Sequence, residues 1–263
     1  MNFIVQGYPA FVYTGGRAFD ASQPAVVFIH GAAFDHSVWQ WQSRYLAHHG
    51  RTVLAADLPA HGRSPGPVRD SIGGFADWVN ALLESAGLAS AAVVGHSMGA
   101  LVALETAIRY GHRVEKLALI GAGVPMAVGE AFIAAARDDA PEAFDMEVVW
   151  GHARSAALAQ SPVPGMSLMG SARALNGRSR SGVLHADLHA CNGYSPPEAA
   201  LGALAMPTLV LSGTRDQMVP WRGGEALAKR IPGARFERVD AGHSMMSEAP
   251  RATLQALKDF LAA

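Results

Sequence analysis

The pentapeptide Gly95-His96-Ser97-Met98-Gly99 is the stretch of this chain best suited to covalent chemistry. The apolar, β-branched run through Val93 and Val94 leads into it and a helical pattern leaves it, so it reads as strand, sharp turn, helix. A serine at such a turn is held in a strained backbone conformation. Glycines on either side let the neighbouring strand and helix pass without a Cβ clash. Ser97 is then expected at the carboxyl end of a parallel sheet. Its hydroxyl is a weak nucleophile unaided; it needs a base for its proton, an acid to orient that base, and donors for the oxyanion its attack creates.

Base and acid are expected downstream. Asp216 follows one expected strand and His243 the next, so parallel geometry brings both to the edge where Ser97 stands. His243 is the only histidine so placed. Its Nε2 would take the Ser97 proton while Asp216 holds Nδ1–H and stabilises the imidazolium. Two aspartates compete for the acid role. Asp57 lies in a loop on the other side of the nucleophile in chain order, and Asp240 is still at the end of its strand, three positions before His243. The segment after Ile120 is Gly121-Ala122-Gly123 and offers no carboxylate, which leaves Asp216. The oxyanion donors are expected to be the backbone N–H groups of Met98, at the start of its helix, and of Ala32, after His30-Gly31. His30, His61 and His96 read as structural histidines bonding nearby backbone.

The elements that must position these residues alternate strand with helix. Short β-prone pieces at 3–5 and 10–13 read as an edge hairpin, and Val26 to His30, Val53 to Ala56, Val114 to Ile120, Pro207 to Gly213 and Ala234 to Val239 read as strands. Between them, Trp39 to Leu46 has roughly helical spacing before Gly50. Phe75, Trp78, Val79, Leu82 and Leu83 form an i, i+3, i+4, i+7, i+8 stripe ending near Gly87. Helices are also expected at about 224–230 and 252–261. Connections of a dozen or more residues imply parallel pairing by right-handed crossovers. From Val124 to Ala205 the strand rhythm stops, and helical pieces such as Glu130 to Arg137 and Ala143 to Ala159 are broken by Pro141, Pro162, Pro164 and the polar run 177–182.

Composition narrows the function. At 263 residues, half of them hydrophobic and 16% charged, the chain suits one large α/β domain or one domain with an insertion. With 21 basic against 22 acidic side chains, no net field draws it to nucleic acid or anionic lipid. No apolar run is long enough to span a bilayer. The single cysteine, Cys191, has no internal disulfide partner, and a start without a basic and then apolar leader makes the cytoplasm the expected compartment. His185 and His189 have i, i+4 spacing, but no second ligand pair with zinc-finger spacing occurs, so a solvated helical face is expected and no metal. Arg173, Arg178 and Arg180 read as solubilising charges, with capture of a substrate carboxylate as the alternative.

The motifs His30-Gly31, Asp57-Leu58-Pro59-Ala60-His61-Gly62-Arg63-Ser64, Gly95-His96-Ser97-Met98-Gly99, Gly213-Thr214-Arg215-Asp216-Gln217-Met218-Val219-Pro220 and Gly242-His243 stand in the order of the α/β-hydrolase family, which the chain resembles except in the inserted segment. The resemblance implies an α/β-hydrolase fold: a mostly parallel twisted sheet flanked by helices, with 1–122 and 206–263 as core and 123–205 as an inserted helical cap. It implies the chain order Ser, Asp, His for the triad. The activity it implies is that of a serine hydrolase of small to medium apolar acyl substrates, a carboxylic ester hydrolase working through an acyl-enzyme and needing no cofactor. Phe34, Met218 and Val219 are expected to face substrate, Val219 by resemblance. A carbon-carbon bond hydrolase of the ring-cleavage type ranks lower, because those relatives show a richer Gly/Ser loop than Ala32-Ala33-Phe34. Acyl transfer or perhydrolysis, and a small-molecule receptor with little turnover, are the other readings. Dehalogenase and epoxide hydrolase relatives carry an aspartate where this chain has Ser97.

Overall fold

The computed structural model describes residues 1–157, 161 and 164–262. Its strands are β1 (Asn2–Val5), β2 (Tyr8–Tyr13), β3 (Ala25–Ile29), β4 (Thr52–Ala56), β5 (Ala91–His96), β6 (Val114–Ile120), β7 (Thr208–Gly213) and β8 (Arg235–Val239). Among the described residues they form one eight-stranded sheet in the order β1-β2-β4-β3-β5-β6-β7-β8. The expected edge hairpin pairs β1 with β2 antiparallel, and β2 joins β4 antiparallel. From β4 onward every pair is parallel. The sheet is the mostly parallel, helix-flanked one of an α/β-hydrolase fold.

Because the central strands are covered on both faces, β3, β4 and β5 are buried throughout. Val27 and Ile29 of β3 face helices α2 (Ile72–Ser85) and α3 (Met98–Arg109), whereas Val26 and Phe28 face α1 (Gln40–Ala47) and α12 (Pro250–Ala262). Ser71 caps α2 by accepting the Gly74 N–H, and the Phe75, Trp78, Val79, Leu82, Leu83 stripe is buried as its spacing predicts. Side chains of this size each contribute about 1.5–3 kcal/mol when fully buried.

Six helices stand between β6 and β7: α4 (Glu130–Arg137), α5 (Pro141–Trp150), α6 (Arg154–Ala157), α7 (Leu168–Asn176), α8 (Val183–Asn192) and α9 (Glu198–Gly202), counted among the described residues. The single helix expected over 143–159 is a correction. α5 stops at Trp150 because Gly151, His152 and Ala153 bond to core loops instead of continuing a helix. Gly151 C=O accepts the Ser244 N–H at 2.9 Å, His152 C=O accepts Gln217 Nε2 at 3.3 Å, and Ala153 N–H donates to Glu248 Oε2 at 2.9 Å. Residues 158 and 159 of that expected helix, and the expected break at Pro162, lie outside the described residues.

α10 (Trp221–Arg230) begins three residues before the expected Gly224, because Pro220, with φ −52°, already sets the chain for helix entry. The last helix likewise begins at Pro250, a residue suited to a first helical turn. The short α11 (Met245–Glu248) was not expected. No helix among the described residues is long and apolar enough to cross a membrane.

Candidate active site

Ser97 sits between β5 and α3 with φ +53° and ψ −120°, a conformation side chains rarely adopt. The two glycines around it explain how the turn closes. A Cβ on Gly95 would lie 2.6 Å from the Ala100 nitrogen, and one on Gly99 would lie 2.7 Å from the Ile29 carbonyl carbon. Backbone blocks both positions, so nothing flexible can yield. Gly95→Ala should therefore destabilise the fold by about 3 kcal/mol, the upper range for overpacking, measured as a lowered urea midpoint against wild type.

The carboxylate and the imidazole meet as expected. His243 Nδ1 donates to Asp216 Oδ2 at 2.7 Å, and Asp216 Oδ1 accepts the backbone N–H groups of Met218 (2.9 Å) and Val219 (2.8 Å). The carboxylate thus fixes both the ring and the loop that carries Met218 and Val219. His243 is 4% exposed, and its Nε2 has no hydrogen-bond partner among the described residues. Gly121, at φ +62°, passes so close to that ring that a Cβ there would lie 3.1 Å from His243 Cε1. Ser97 and His243 line one cavity of about 400 Å³, with Ala32, Phe34, Met218 and Val219 in its wall. A serine hydroxyl that shares a cavity with an imidazole held by a carboxylate is the set of groups from which a nucleophile can be made.

The competing aspartates are engaged elsewhere. Asp57 accepts from His36 N, His36 Nδ1 and Arg63 N, which shapes its own loop, and Asp240 bonds Thr214 and Arg215 at the surface. Ala32 lines the same cavity as Ser97, and Met98 follows Ser97 as the first residue of α3.

The buried histidines bond backbone as expected. The Leu58 N–H donates to His30 Nε2 at 3.1 Å, so the proton is on Nδ1, which donates to Gly31 C=O at 2.8 Å. Burial, followed by the charge of His61, pulls the His30 pKa down to about 4 and keeps the ring neutral. His96 Nε2 donates to His243 C=O at 3.0 Å, and burial, then His243, holds its pKa well below the ordinary value.

The arginines have other partners: Arg173 pairs with Asp145, Arg178 with Asp35, and Arg180 with the Ser64 carbonyl. None lines the cavity at Ser97. The rings of His185 and His189 lie 6.4 Å apart on the outer side of α8. Among the described residues Asp35, His36 and Asp57 alone have metal-like geometry, and Ser37, Arg178, His36 and Arg63 already donate to those carboxylates. The set is closed by protein donors and does not suit a cation.

Glu147 was missed in the sequence. It lines the Ser97 cavity, is 5% exposed and accepts Asn176 Nδ2 at 3.0 Å. Burial, then the charge of Asp187, raises its pKa well above the usual carboxylate range. Its place four residues after the buried Ala143 and one before the buried Val148 was the available signal.

The sequence model of the alpha/beta hydrolase fold family matches residues 24–250. The chain belongs to that family. It is 30% identical over 262 residues to the pimeloyl-[acyl-carrier protein] methyl ester esterase of Aromatoleum aromaticum, covering 91% of this chain and 99% of that one. It is 28% identical over 245 residues, with 86% and 83% covered, to a Mycobacterium phage D29 protein that bears the name non-heme haloperoxidase. The enol-lactonase of Burkholderia xenovorans LB400 superposes with a TM-score of 0.87 at 24% identity, covering both chains completely.

Proposed function

We propose that the protein is a serine hydrolase of carboxylic esters with small to medium apolar acyl groups, working through an acyl-enzyme. In this reading Ser97 attacks the ester carbonyl, His243 takes and returns the proton, and Asp216 holds the imidazole in the Nδ1–H tautomer. The amides of Ala32 and Met98 receive the oxyanion. Residues 1–122 and 206–263 act as the core and 123–205 as a helical cap over the pocket, where Phe34, Met218 and Val219 contact substrate.

The observation that carries this reading is the ring of His243. Its Nδ1 is committed to Asp216, and its buried Nε2 lacks a partner in the cavity it shares with Ser97. The mixed apolar wall and the esterase relative support an ester substrate.

The test is hydrolysis of p-nitrophenyl esters from acetate to dodecanoate. A cavity near 400 Å³ lies at the small end for ligand pockets, so kcat/KM should peak at chains of about four to eight carbons and fall at least tenfold by twelve. A rate no greater than that of Ser97→Ala across the series would refute the reading. Adding hydrogen peroxide or an alcohol and finding more transfer product than acid would redirect it to acyl transfer.

A further inference from the structure

We propose that Asp187, on the inserted helix α8, is a positioning residue for the oxyanion loop, so that seating of the cap on the core sets the hole in which the ester oxygen is stabilised. The loop from Gly31 to Phe34 carries the Ala32 amide. It is fastened at three points. Gly31 C=O accepts His30 Nδ1–H at 2.8 Å and Phe34 N–H at 3.4 Å, and the Ala33 N–H donates to Asp187 Oδ2 at 2.9 Å across 154 residues of sequence. Ala33 has φ +54°, a left-handed conformation that an alanine holds only when its surroundings impose it. Asp187 imposes it from the cap, one peptide away from Ala32.

The same carboxylate oxygen takes a second bond. His61 Nε2 donates to Asp187 Oδ2 at 2.8 Å, and His61 Nδ1 donates to Pro59 C=O at 2.9 Å. Both acceptors lack hydrogens, so both ring nitrogens carry one and His61 is an imidazolium. Burial opposes that charge, but the Asp187 charge and hydrogen bond outweigh it and raise the pKa. Asp187 is fully buried, and its Oδ1 has no partner among the described residues. Burial, then the Asp187 charge, raises the pKa of nearby Glu147 and Cys191. A buried ion pair that also accepts a backbone N–H from the loop is a costly arrangement for packing alone. Fixing the direction of the neighbouring Ala32 amide gives it a function.

This inference rests on the hydrolase reading through Ser97 and the oxyanion amides, and its test separates the two. Single removal of a buried charge risks unfolding, so the decisive variant is His61→Phe with Asp187→Leu, which replaces the pair by apolar bulk and leaves Ala33 N–H without its acceptor. Near-UV circular dichroism verifies its fold. Expected are a fall of about 100-fold in kcat for p-nitrophenyl butyrate, as for a misplacement of about 1 Å, and a KM within about threefold of wild type. Affinity for butylboronic acid, whose adduct with Ser97 is a tetrahedral anion, should fall in parallel with kcat. A folded double variant with both quantities within threefold of wild type overturns the proposal, as does a kcat loss with boronate affinity retained.

Should the double variant fail to fold, Asp187→Asn decides. It removes the charge that keeps His61 doubly protonated, and about a tenfold parallel loss in kcat and boronate affinity is expected; no loss in either overturns the proposal. A wild-type protein that reacts with a fluorophosphonate at Ser97 but hydrolyses no ester refutes the ester reading only, and the Asp187 comparison is then made on labelling rate. Wild type that does not label at all refutes both.

Discussion

Ser97→Ala should lower kcat for p-nitrophenyl butyrate by a factor on the order of 10⁶, leaving only what the amide donors and pocket contribute without a nucleophile. The size of the effect follows from the division of labour in the site. Ser97 shares its cavity with the unpartnered Nε2 of His243, and water entering there would lack the strained turn that fixes the attacking atom. The substitution is also a clean one. Alanine keeps the Cβ that the φ +53° turn already accommodates, and the Ser97 N–H bond to Ile120 C=O at 2.9 Å is a backbone bond that the side chain does not touch. Thermal unfolding should therefore be unchanged while turnover collapses. A loss of less than about tenfold, after titration for contaminating esterase with a fluorophosphonate, would remove Ser97 from the mechanism.

Asp216→Asn should reduce kcat by about 10⁴-fold with little effect on KM. Asp216 Oδ1 holds Met218 and Val219 through their amides, and an asparagine oxygen can keep both bonds, so the pocket wall survives. The amide nitrogen then occupies the place of Oδ2, facing His243 Nδ1. Two donors cannot share that contact, so Nδ1 must become the acceptor and the proton moves to Nε2. An imidazole protonated on Nε2 is unable to accept the Ser97 proton. Asp216→Ala should lose the loop as well and raise KM, and comparing the two variants separates tautomer control from loop support. Steady-state kinetics on one ester suffices, and an asparagine variant within tenfold of wild type would exclude the carboxylate from the mechanism.

Much of the architecture was legible because burial on both faces writes a continuous apolar strand, as in Val26 to Ile29 and Val93 to Val94, and because glycines at 95 and 99 stand where backbones nearly touch. Asp216 and His243 were readable from their positions just past two strands. What was hidden depended on contacts distant in sequence. Between residues 185 and 189 the histidines drew attention to the outer side of α8, yet Leu184, Asp187, Leu188 and Cys191 form the i, i+3, i+4, i+7 stripe that faces inward. A carboxylate within such a stripe was the sign of a buried partner, and His61 lies 126 residues away. The end of α5 was equally obscure, since Gly151 to Ala153 leave the helix for groups on Gln217, Ser244 and Glu248 that no local pattern announces.

That last junction bears on recombination with relatives. A chimera that exchanged only the residues between β6 and β7 would have to bring its own backbone to the places of Gly151, His152 and Ala153, where the Gln217 and Glu248 side chains and the Ser244 N–H next to His243 meet it. The smallest transplantable module of this scaffold is therefore discontinuous: the inserted helices together with Gln217 and Glu248, whose side chains reach them, and His61, the buried partner of Asp187. Libraries that shuffle pocket specificity along those boundaries should retain active clones, where cuts at the strand ends alone would not.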